Sequence, residues 1–349
     1  MGELHIVSLI NVENSLDHNN MPIGHEMKVM KDYLNIFGYK AEVLSGEKYA
    51  RKIEGRSKLL PYCIYIREKK SRWMKILCNY FVSLFLSRGE LLIFIDIPEV
   101  LLWGLAFFKG KRKVIGITYM QWDMYIEKYL FNKPIRRYLV KKGLRYLDGM
   151  IITNPLYKPQ KSYVKVPDYY ITDEIAKYKK KEKRDGCVCL GEIRPEKDVE
   201  GLIRIIRKTD IFLIIAGSFQ DKNIYRKLKT LQTKNIEIIN KNLSYDIYME
   251  YLSTYKYVIL PYNMEHYKLV TSGILQEGIF VGSIPIAPQL LLKHNCIQGL
   301  GYNTISEIPK LIQLYENGEI KVENNLERYQ YEVYKKKVVE FVYDVKDKK

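Results

Sequence analysis

The sequence has few cysteines, scattered histidines and no long apolar run, and each absence excludes a class of protein. Its five cysteines are an odd number, and no Cys or His pair has metal-site spacing. The longest apolar stretch, residues 91–108, contains Asp96, Pro98 and Glu99 and is therefore too polar to span a bilayer. The start, MGELHIVSLI, lacks the pattern of a secretion signal. We expect a cytoplasmic protein with buried, reduced thiols.

Acidic residues are also in short supply. There are 57 Lys and Arg against 40 Asp and Glu, which gives a formal net charge of +17. Nucleic acid, an anionic membrane or a phosphorylated substrate would each suit this charge. The basic residues are spread along helical segments without a nucleic-acid-binding motif, so we predict no nucleic-acid partner. Residues 72–86 predict an apolar helix with basic flanks, which suits either a core or an anionic membrane surface.

Strands and helices alternate along a chain that is long enough for two domains. The predicted strands are fully apolar, which is typical of parallel sheets buried on both faces. Strand 114–118 is followed by a predicted aromatic loop, residues 119–125. Ligands of such sheets bind at the carboxyl ends of the strands, so the site is expected in the cleft between the two halves. The predicted organisation is a first domain, 1–168; a polar linker, 169–186; a second domain, 187–322; and a long helix, 323–349, that packs back on the first domain.

One candidate anion site lies in residues 261–286, PYNMEHYKLVTSGILQEGIFVGSIPI, which predict strand end, loop, helix and strand. Thr271, Ser272 and Gly273 open the helix, where unpaired amides bind anions and glycine permits close approach. Glu277 follows one turn later on the same face, and its carboxylate can accept hydrogen bonds from ribose hydroxyls. An ordinary helix cap with a solvated glutamate is the simpler interpretation of this motif alone.

A second candidate site is the turn LGEIRPEK, residues 190–197. Arg194 and Lys197 leave the end of a predicted strand three residues apart, so both side chains can converge on one point. Two fixed cations there would stabilise the charge that develops on a departing diphosphate. The alternative is a basic turn that merely enters a helix.

Together the two motifs resemble the C-terminal half of the GT-B glycosyltransferases, specifically the large retaining family 4 of bacterial polysaccharide assembly. The resemblance is good over residues 186–320 and looser before them, where Gly24 is a main anchor. Matching residues are Gly191, Arg194 and Lys197 in the first motif, Gly217 in a glycine turn, and Tyr267, Ser272, Gly273, Glu277, Gly282 and Pro285 in the second.

This resemblance implies an α/β fold of the GT-B type, with two Rossmann-like domains whose parallel sheets face a central cleft and a C-terminal helix that crosses back. It also implies transfer of a hexose from a nucleotide diphosphate sugar to a lipid-linked glycan, in capsule or exopolysaccharide assembly at the inner face of the membrane. Arg194 and Lys197 would hold the diphosphate and Glu277 the ribose. Further donor-binding residues would be Gly24, Gly191, Gly217, Tyr267, Thr271, Ser272 and Gly273.

Two positions depart from the family pattern. The family commonly has a glutamate eight residues before the one at 277, but Leu269 stands there, and Glu265 is the nearest candidate for its role. The family's histidine after the strand at 114–118 is also missing. Asp123 is a candidate to orient the acceptor hydroxyl, although a surface aspartate is the simpler interpretation.

The sequence also lacks an Asp-X-Asp motif with an apolar lead-in, so we expect transfer without a metal or a cofactor other than the donor. Two alternatives stay open. One is a sugar-nucleotide epimerase of the same architecture, which would form product without an acceptor. The other is a basic RNA-binding or membrane-binding protein on a degenerate transferase fold, which would bind in a salt-sensitive way without affinity for nucleotides.

Overall fold

The chain forms two compact units in a computed structural model that describes residues 4–9, 25–51, 53, 55–64, 71–87, 91–179, 182, 184–264 and 272–348. Unit 1 comprises Met1–Pro167 and Tyr334–Lys349, and unit 2 comprises Asp168–Val333. The predicted linker, residues 169–186, therefore lies in unit 2.

Unit 1 contains a parallel sheet covered by helices on both faces. Its strands are Leu4–Val7 (β1), Ala41–Ser45 (β2), Ser57–Leu59 (β3), Leu91–Phe94 (β4), Lys113–Thr118 (β5), Gly149–Ile152 (β6) and Tyr163–Lys165 (β7). Its helices are His25–Phe37 (α1), Glu47–Ala50 (α2), Arg72–Leu86 (α3), Glu99–Phe107 (α4), Trp122–Tyr129 (α5) and Pro134–Tyr146 (α6). The strand order is β3-β2-β1-β4-β5-β6-β7, so the order reverses between β1 and β4.

One face of unit 1 packs tightly because small residues let helices approach. A Cβ on Gly143 of α6 would lie 2.1 Å from the carbonyl oxygen of Leu102 in α4. A Cβ on Gly104 of α4 would lie 2.5 Å from the ring of Tyr80 in α3. The three helices therefore form one layer against β4, which is fully apolar and buried, and β5, which is buried except for Lys113.

Unit 2 has the same architecture with one strand fewer. Its strands are Arg184–Leu190 (β8), Leu213–Gly217 (β9), Ile236–Asn240 (β10), Tyr255–Ile259 (β11), Ile284–Pro288 (β12) and Leu300–Tyr302 (β13). Its helices are Asp173–Ala176 (α7), Val199–Ile206 (α8), Lys222–Lys229 (α9), Tyr245–Thr254 (α10), Gly273–Phe280 (α11), Gln289–Asn295 (α12) and Ile308–Glu316 (α13). The strands are parallel in the order β10-β9-β8-β11-β12-β13.

Strand β8 lies at the centre of this sheet and is buried on both faces. Cys187 and Cys189 point into one core, and Val188 and Leu190 point into the other. Burial raises the pKa of the Cys189 thiol to about 11, so it stays protonated at neutral pH. The prediction of buried thiols is correct for these two residues but wrong for Cys296, which is exposed.

A last helix, Tyr331–Asp347 (α14), begins in unit 2 and continues into unit 1. Within unit 1 its Phe341 and Val345 pack against Gly149 of β6, where a Cβ would lie 2.8 Å from the Phe341 ring. The predicted single helix over 323–349 is wrong at its start. Gln330 is extended because its backbone pairs with Ile171, so the helix cannot begin before Tyr331.

The predicted α/β class with two parallel Rossmann-like sheets is confirmed. Its local errors have physical causes. The predicted loop at 119–125 instead starts helix α5, because the apolar Trp122 side chain is buried in the core. The short edge strands β3, β7 and β13 were not predicted, since three residues carry too little periodicity to identify a strand.

Candidate functional site

The two sequence motifs follow neighbouring strands in unit 2. Strand β8 precedes the Gly191–Lys197 turn, and β11 precedes the 261–264 segment; these strands pair where the strand order reverses. Loops that leave the carboxyl ends of such strands diverge and open a crevice, the usual ligand site of open α/β sheets. The topology alone therefore brings the two motifs to one edge of the sheet.

Backbone hydrogen bonds join the two motifs directly. The Asp198 amide donates to the carbonyl oxygen of Pro261 at 2.7 Å, and the Asn263 amide donates to that of Glu196 at 3.0 Å. Lys197 and Tyr262 consequently form an antiparallel bridge. The two backbone hydrogen bonds flank Lys197 and Tyr262 and thereby fix the positions of these two residues.

Lys197 is a buried cation, with 8% of its surface exposed. Its Nζ donates to the carbonyl oxygen of Leu190 at 3.2 Å and lies 5.5 Å from the ring centroid of Tyr262. No carboxylate in the described part of the chain lies within ion-pair distance of it. Burial lowers the pKa of the Lys197 ammonium below its ordinary value; the Cys189 sulfur and Glu192 oppose that shift, and Arg194 adds to it.

Arg194 belongs to the same turn but is more accessible. Its side chain is 34% exposed, and its Nε lies 3.6 Å from a carboxylate oxygen of Glu192. The Lys197 amide donates to the Arg194 carbonyl at 3.0 Å, which closes the turn between the two residues. One turn thus presents a buried cation, Lys197, and a half-buried one, Arg194. Their convergence on one bound anion stays a prediction.

Gly191 and Gly217 bring the loops after β8 and β9 into contact. Both have positive φ, at +89° and +152°, and a Cβ on Gly217 would lie 1.9 Å from the carbonyl oxygen of Gly191. The Gly191 amide also donates to the carbonyl of Ala216 at 3.1 Å. A side chain at Gly217 would push this loop away, so the glycine is required for packing.

Helix α11 begins next to the Lys197 turn. Ser272, its buried N-cap residue, lies with its Oγ 3.2 Å from the hydroxyl of Tyr262. Tyr262 is also the ring beneath Lys197, so one side chain connects the buried cation to the positive end of a helix dipole. At Gly273, a Cβ would lie 2.3 Å from the ring of Tyr169, which packs on the first turn.

Glu277 is buried, with 4% of its surface exposed, so the alternative of a solvated glutamate is wrong. The hydroxyl of Tyr248 donates to Oε2 of Glu277 at 2.8 Å, and Tyr245 lies close enough for the Glu277 charge to act on its hydroxyl. The hydroxyl groups of Tyr169, Tyr245 and Tyr248 have pKa values well above the ordinary tyrosine value. Burial is the main cause, and the nearby negative charge of Glu277 is the second. These hydroxyls therefore stay protonated at neutral pH, and that of Tyr248 acts as a donor.

Sequence analysis missed Tyr169, Tyr245, Tyr248 and Tyr262, which enclose the start of α11. They come from three separate segments, since Tyr245 and Tyr248 share α10, and the sequence contains 30 tyrosines, so no local pattern distinguishes these. Only the residue type pointed to them, because a tyrosine can bury its ring and still donate a hydrogen bond to a buried carboxylate.

The remaining candidates are not part of this cluster. Asp123 is an exposed residue of α5 in unit 1, where partial burial and Glu127 raise the pKa of its carboxyl and Lys141 lowers it. Gly24, Glu265, Tyr267 and Thr271 lie outside the described residues. The side chains that the structure describes include no group of three His, Cys, Asp or Glu that could hold a metal.

No family model matches the sequence, and no curated protein matches it. Solved structures do match. They include sucrose-phosphate synthase from Thermosynechococcus elongatus, with 12% identity, coverage of 99% of both chains and a TM-score of 0.68. The α,α-trehalose 6-phosphate synthase from Burkholderia multivorans has 11% identity, coverage of 99% of both chains and a TM-score of 0.68.

A third match is the catalytic domain of starch synthase IV from Arabidopsis thaliana, bound to ADP and acarbose. It has 11% identity, coverage of 100% of both chains and a TM-score of 0.65. At such identities the similarity shows the fold, which is that of the GT-B glycosyltransferases. The predicted fold type is confirmed.

Proposed function

We propose that the protein is a glycosyltransferase that moves a hexose from a nucleotide diphosphate sugar to a hydroxyl acceptor. The buried ammonium of Lys197, which Tyr262 links to the start of α11, carries this proposal. Burial of a cation among neutral groups costs folding free energy. A buried cation of this kind is therefore expected where an anion binds to it. A diphosphate beside a helix N-terminus is such an anion.

The other residues of the cluster fit the same ligand. Arg194 supplies a second cation within the turn, and Glu277 supplies a buried acceptor for ribose hydroxyls. In the reaction, the bond from the anomeric carbon to the diphosphate oxygen breaks and a bond to the acceptor oxygen forms. The proton of the acceptor hydroxyl passes to the released nucleoside diphosphate. Arg194, Lys197 and the α11 amides would stabilise the negative charge on the leaving nucleoside diphosphate, without a metal.

The matched structures support this proposal because their names denote synthases that use or form sugar phosphates and glucans. The motifs Gly191–Lys197 and Ser272–Glu277 further favour a family 4 enzyme that retains the anomeric configuration. From this resemblance we propose that the acceptor is a lipid-linked glycan, used in cell-surface polysaccharide assembly at the cytoplasmic face of the membrane.

The surface of α3 supports contact with an anionic membrane. Ile76 and Tyr80 face the core of unit 1, whereas Trp73 (50% exposed) and Phe85 (86% exposed) face outward. Met74 and Phe81 are also exposed and continue the outward stripe, since residues at these spacings share a helix face. The sequence left core and membrane surface as alternatives for this helix, and the structure shows both a buried and an exposed apolar face.

Aromatic and basic residues extend this surface at the end of α3. The Tyr80 hydroxyl donates to the carbonyl of Phe108, and Arg112 donates to that of Ser87 at 3.1 Å. These contacts place the exposed rings of Phe107 and Phe108 and the exposed Lys111 beside the end of α3. Apolar rings among cations match an anionic bilayer. None of the helices that the structure describes has the length and apolarity to cross a bilayer.

Vesicle sedimentation tests the membrane contact. We expect wild-type protein to bind phosphatidylglycerol vesicles more strongly than phosphatidylcholine vesicles, and a Phe81→Ser/Phe85→Ser variant to lose about tenfold in binding. Tyr39→Ser is the matched control, because Tyr39 is as exposed but follows α1. Equal binding of all three proteins would contradict the membrane contact and leave the transferase proposal intact.

Thermal shift with nucleoside diphosphates and their sugar conjugates tests the proposed function. The nucleotide that raises Tm most identifies the base, and a sugar that adds further stabilisation identifies the donor. Membrane extract as an acceptor source should then accelerate release of the nucleoside diphosphate. Absence of any nucleotide effect would contradict the proposal, and conversion of the donor without an acceptor would indicate an epimerase instead.

A further inference from the structure

Glu277 is held by a residue that the ribose assignment does not account for. Tyr248 lies on α10, a helix whose cap residue Ser244 accepts from the Ile247 amide at 3.4 Å. The Tyr248 hydroxyl donates to Oε2 of Glu277, on α11, at 2.8 Å. The Tyr248 ring also stacks on that of Tyr245, with centroids 6.3 Å apart and an interplanar angle of 28°.

The helix that carries Glu277 is fixed independently of Tyr248. The Tyr169 amide donates to the side-chain oxygen of Gln276 at 2.9 Å, and the Tyr169 ring packs against Gly273. Tyr262 contacts Ser272 at the N-cap. Because these contacts position the backbone of α11, the hydrogen bond from Tyr248 acts mainly on the carboxylate group itself.

A carboxylate on a fixed backbone still has one loosely defined angle. Rotation about the last side-chain bond of glutamate is broad, so the direction of its two oxygens is set by hydrogen bonds. A donor fixed on one oxygen defines the plane of the carboxylate and the direction in which lone pairs can accept further hydrogen bonds. Tyr248 is that donor, and burial keeps its hydroxyl protonated.

We propose that Tyr248 is a positioning residue that aligns the Glu277 carboxylate with the ribose hydroxyls and thereby sets selectivity for ribonucleotides. This inference rests on the proposed function and adds a residue to it. Tyr248 does not contact the reacting atoms; it acts through Glu277. Loss of its hydroxyl should weaken the interaction with ribose hydroxyls and leave the diphosphate contacts at Lys197 unchanged.

Calorimetric titration of Tyr248→Phe tests the inference. The ligands are the nucleoside diphosphate that stabilises the wild-type protein and its 2′,3′-dideoxy form. We expect wild-type protein to prefer the ribose form by tenfold or more, and the variant to lose about tenfold in affinity for that form alone. Tyr251→Phe, one turn further along α10, is the matched control and should keep the wild-type preference.

The outcomes separate the two proposals. A Tyr248→Phe protein with the wild-type preference, or with equal losses for both ligands, overturns the positioning role, because a general structural effect would not distinguish the two sugars. A wild-type protein that binds both forms equally also overturns it. A wild-type protein that binds neither form contradicts the proposed function itself and removes the basis for this inference.

Discussion

The two sheets share a strand order but differ in what they bury where that order reverses. In unit 2, this point holds two ionisable side chains, Lys197 and Glu277. In the described part of unit 1, the loop after β1 contacts a buried side chain that is neutral, Asn79. Its amide donates to the carbonyls of Leu9 and Tyr62 and accepts from the Tyr62 amide, at 2.9–3.1 Å.

This difference separates a polar group with a structural role from one for which we propose a role in binding. Asn79 has its hydrogen bonds within the fold, so its burial stabilises the loops that it joins. Lys197 has one carbonyl and one aromatic ring, and burial disfavours its charge. The same topology can therefore support a self-contained polar contact or, as we propose for unit 2, a ligand site. We expect the two to respond oppositely to mutation.

The largest expected effect is on turnover. Lys197→Met removes the charge but keeps an apolar stem of similar length, so we expect release of nucleoside diphosphate to slow by about 10²–10³-fold. Tm without ligand should not fall, because a disfavoured charge leaves the core. Lys241→Met is the control, since Lys241 is exposed, and it should match wild type in both assays. If Lys197→Met lowered Tm as well as activity, Lys197 would have a structural role.

The largest effect on folding is expected at the other residue of the comparison. Asn79→Leu keeps the branched shape of the side chain but leaves three backbone groups at Leu9 and Tyr62 without their partner, which should cost about 3 kcal/mol of unfolding free energy. Chemical denaturation measures it, with the exposed Asn132→Leu as control. If Asn79→Leu were as stable as wild type, the contrast between the two buried polar groups would be lost.

A smaller loss of stability is expected at the contact between the loops after β8 and β9. Gly217→Ala places a methyl group against the Gly191 carbonyl and should cost about 2–3 kcal/mol. Gly318→Ala is the matched control, because its φ is also positive, at +76°, but its Cβ would meet nothing within 4 Å. The difference in stability loss between the two variants gives the free energy of the contact between the loops. Equal losses would show that the loss comes from backbone conformation alone.

The smallest effect is a pH dependence of stability. Since the pKa of Lys197 is lowered on folding, the folded protein loses this proton at a lower pH than the unfolded chain does. The unfolded chain then binds more protons, so unfolding free energy should rise with pH just below the ordinary lysine pKa, relative to Lys197→Met. Denaturation of both proteins across this range measures the difference. Parallel curves would show that the pKa is not lowered.

Much of this fold follows from the sequence, because apolar strands alternating with amphipathic helices determine a parallel α/β architecture. Both candidate motifs were also identifiable, since a glycine, cations and a helix start at strand ends are typical of phosphate-binding sites. The tyrosines around Glu277 were not, because their contacts depend on the rotation of α10 and on chain segments far apart in sequence.

Contacts between residues far apart in the sequence also leave no local pattern. Asn79 contacts a residue 70 positions away, which a helical periodicity does not reveal. The roles of all the candidate site residues stay predictions, and Gly24, Glu265, Tyr267 and Thr271 also lie outside the described residues. The residues that were missed are uncharged and use geometry rather than charge to form the site.

The most direct test is calorimetric titration of the stabilising nucleoside diphosphate into wild type and Lys197→Met, with Tm measured on the same preparations. The account predicts that the variant loses at least about tenfold in affinity while its Tm in the absence of ligand stays equal or rises. Undiminished affinity in a folded Lys197→Met protein would contradict it, because the buried ammonium would then have no role in binding the diphosphate.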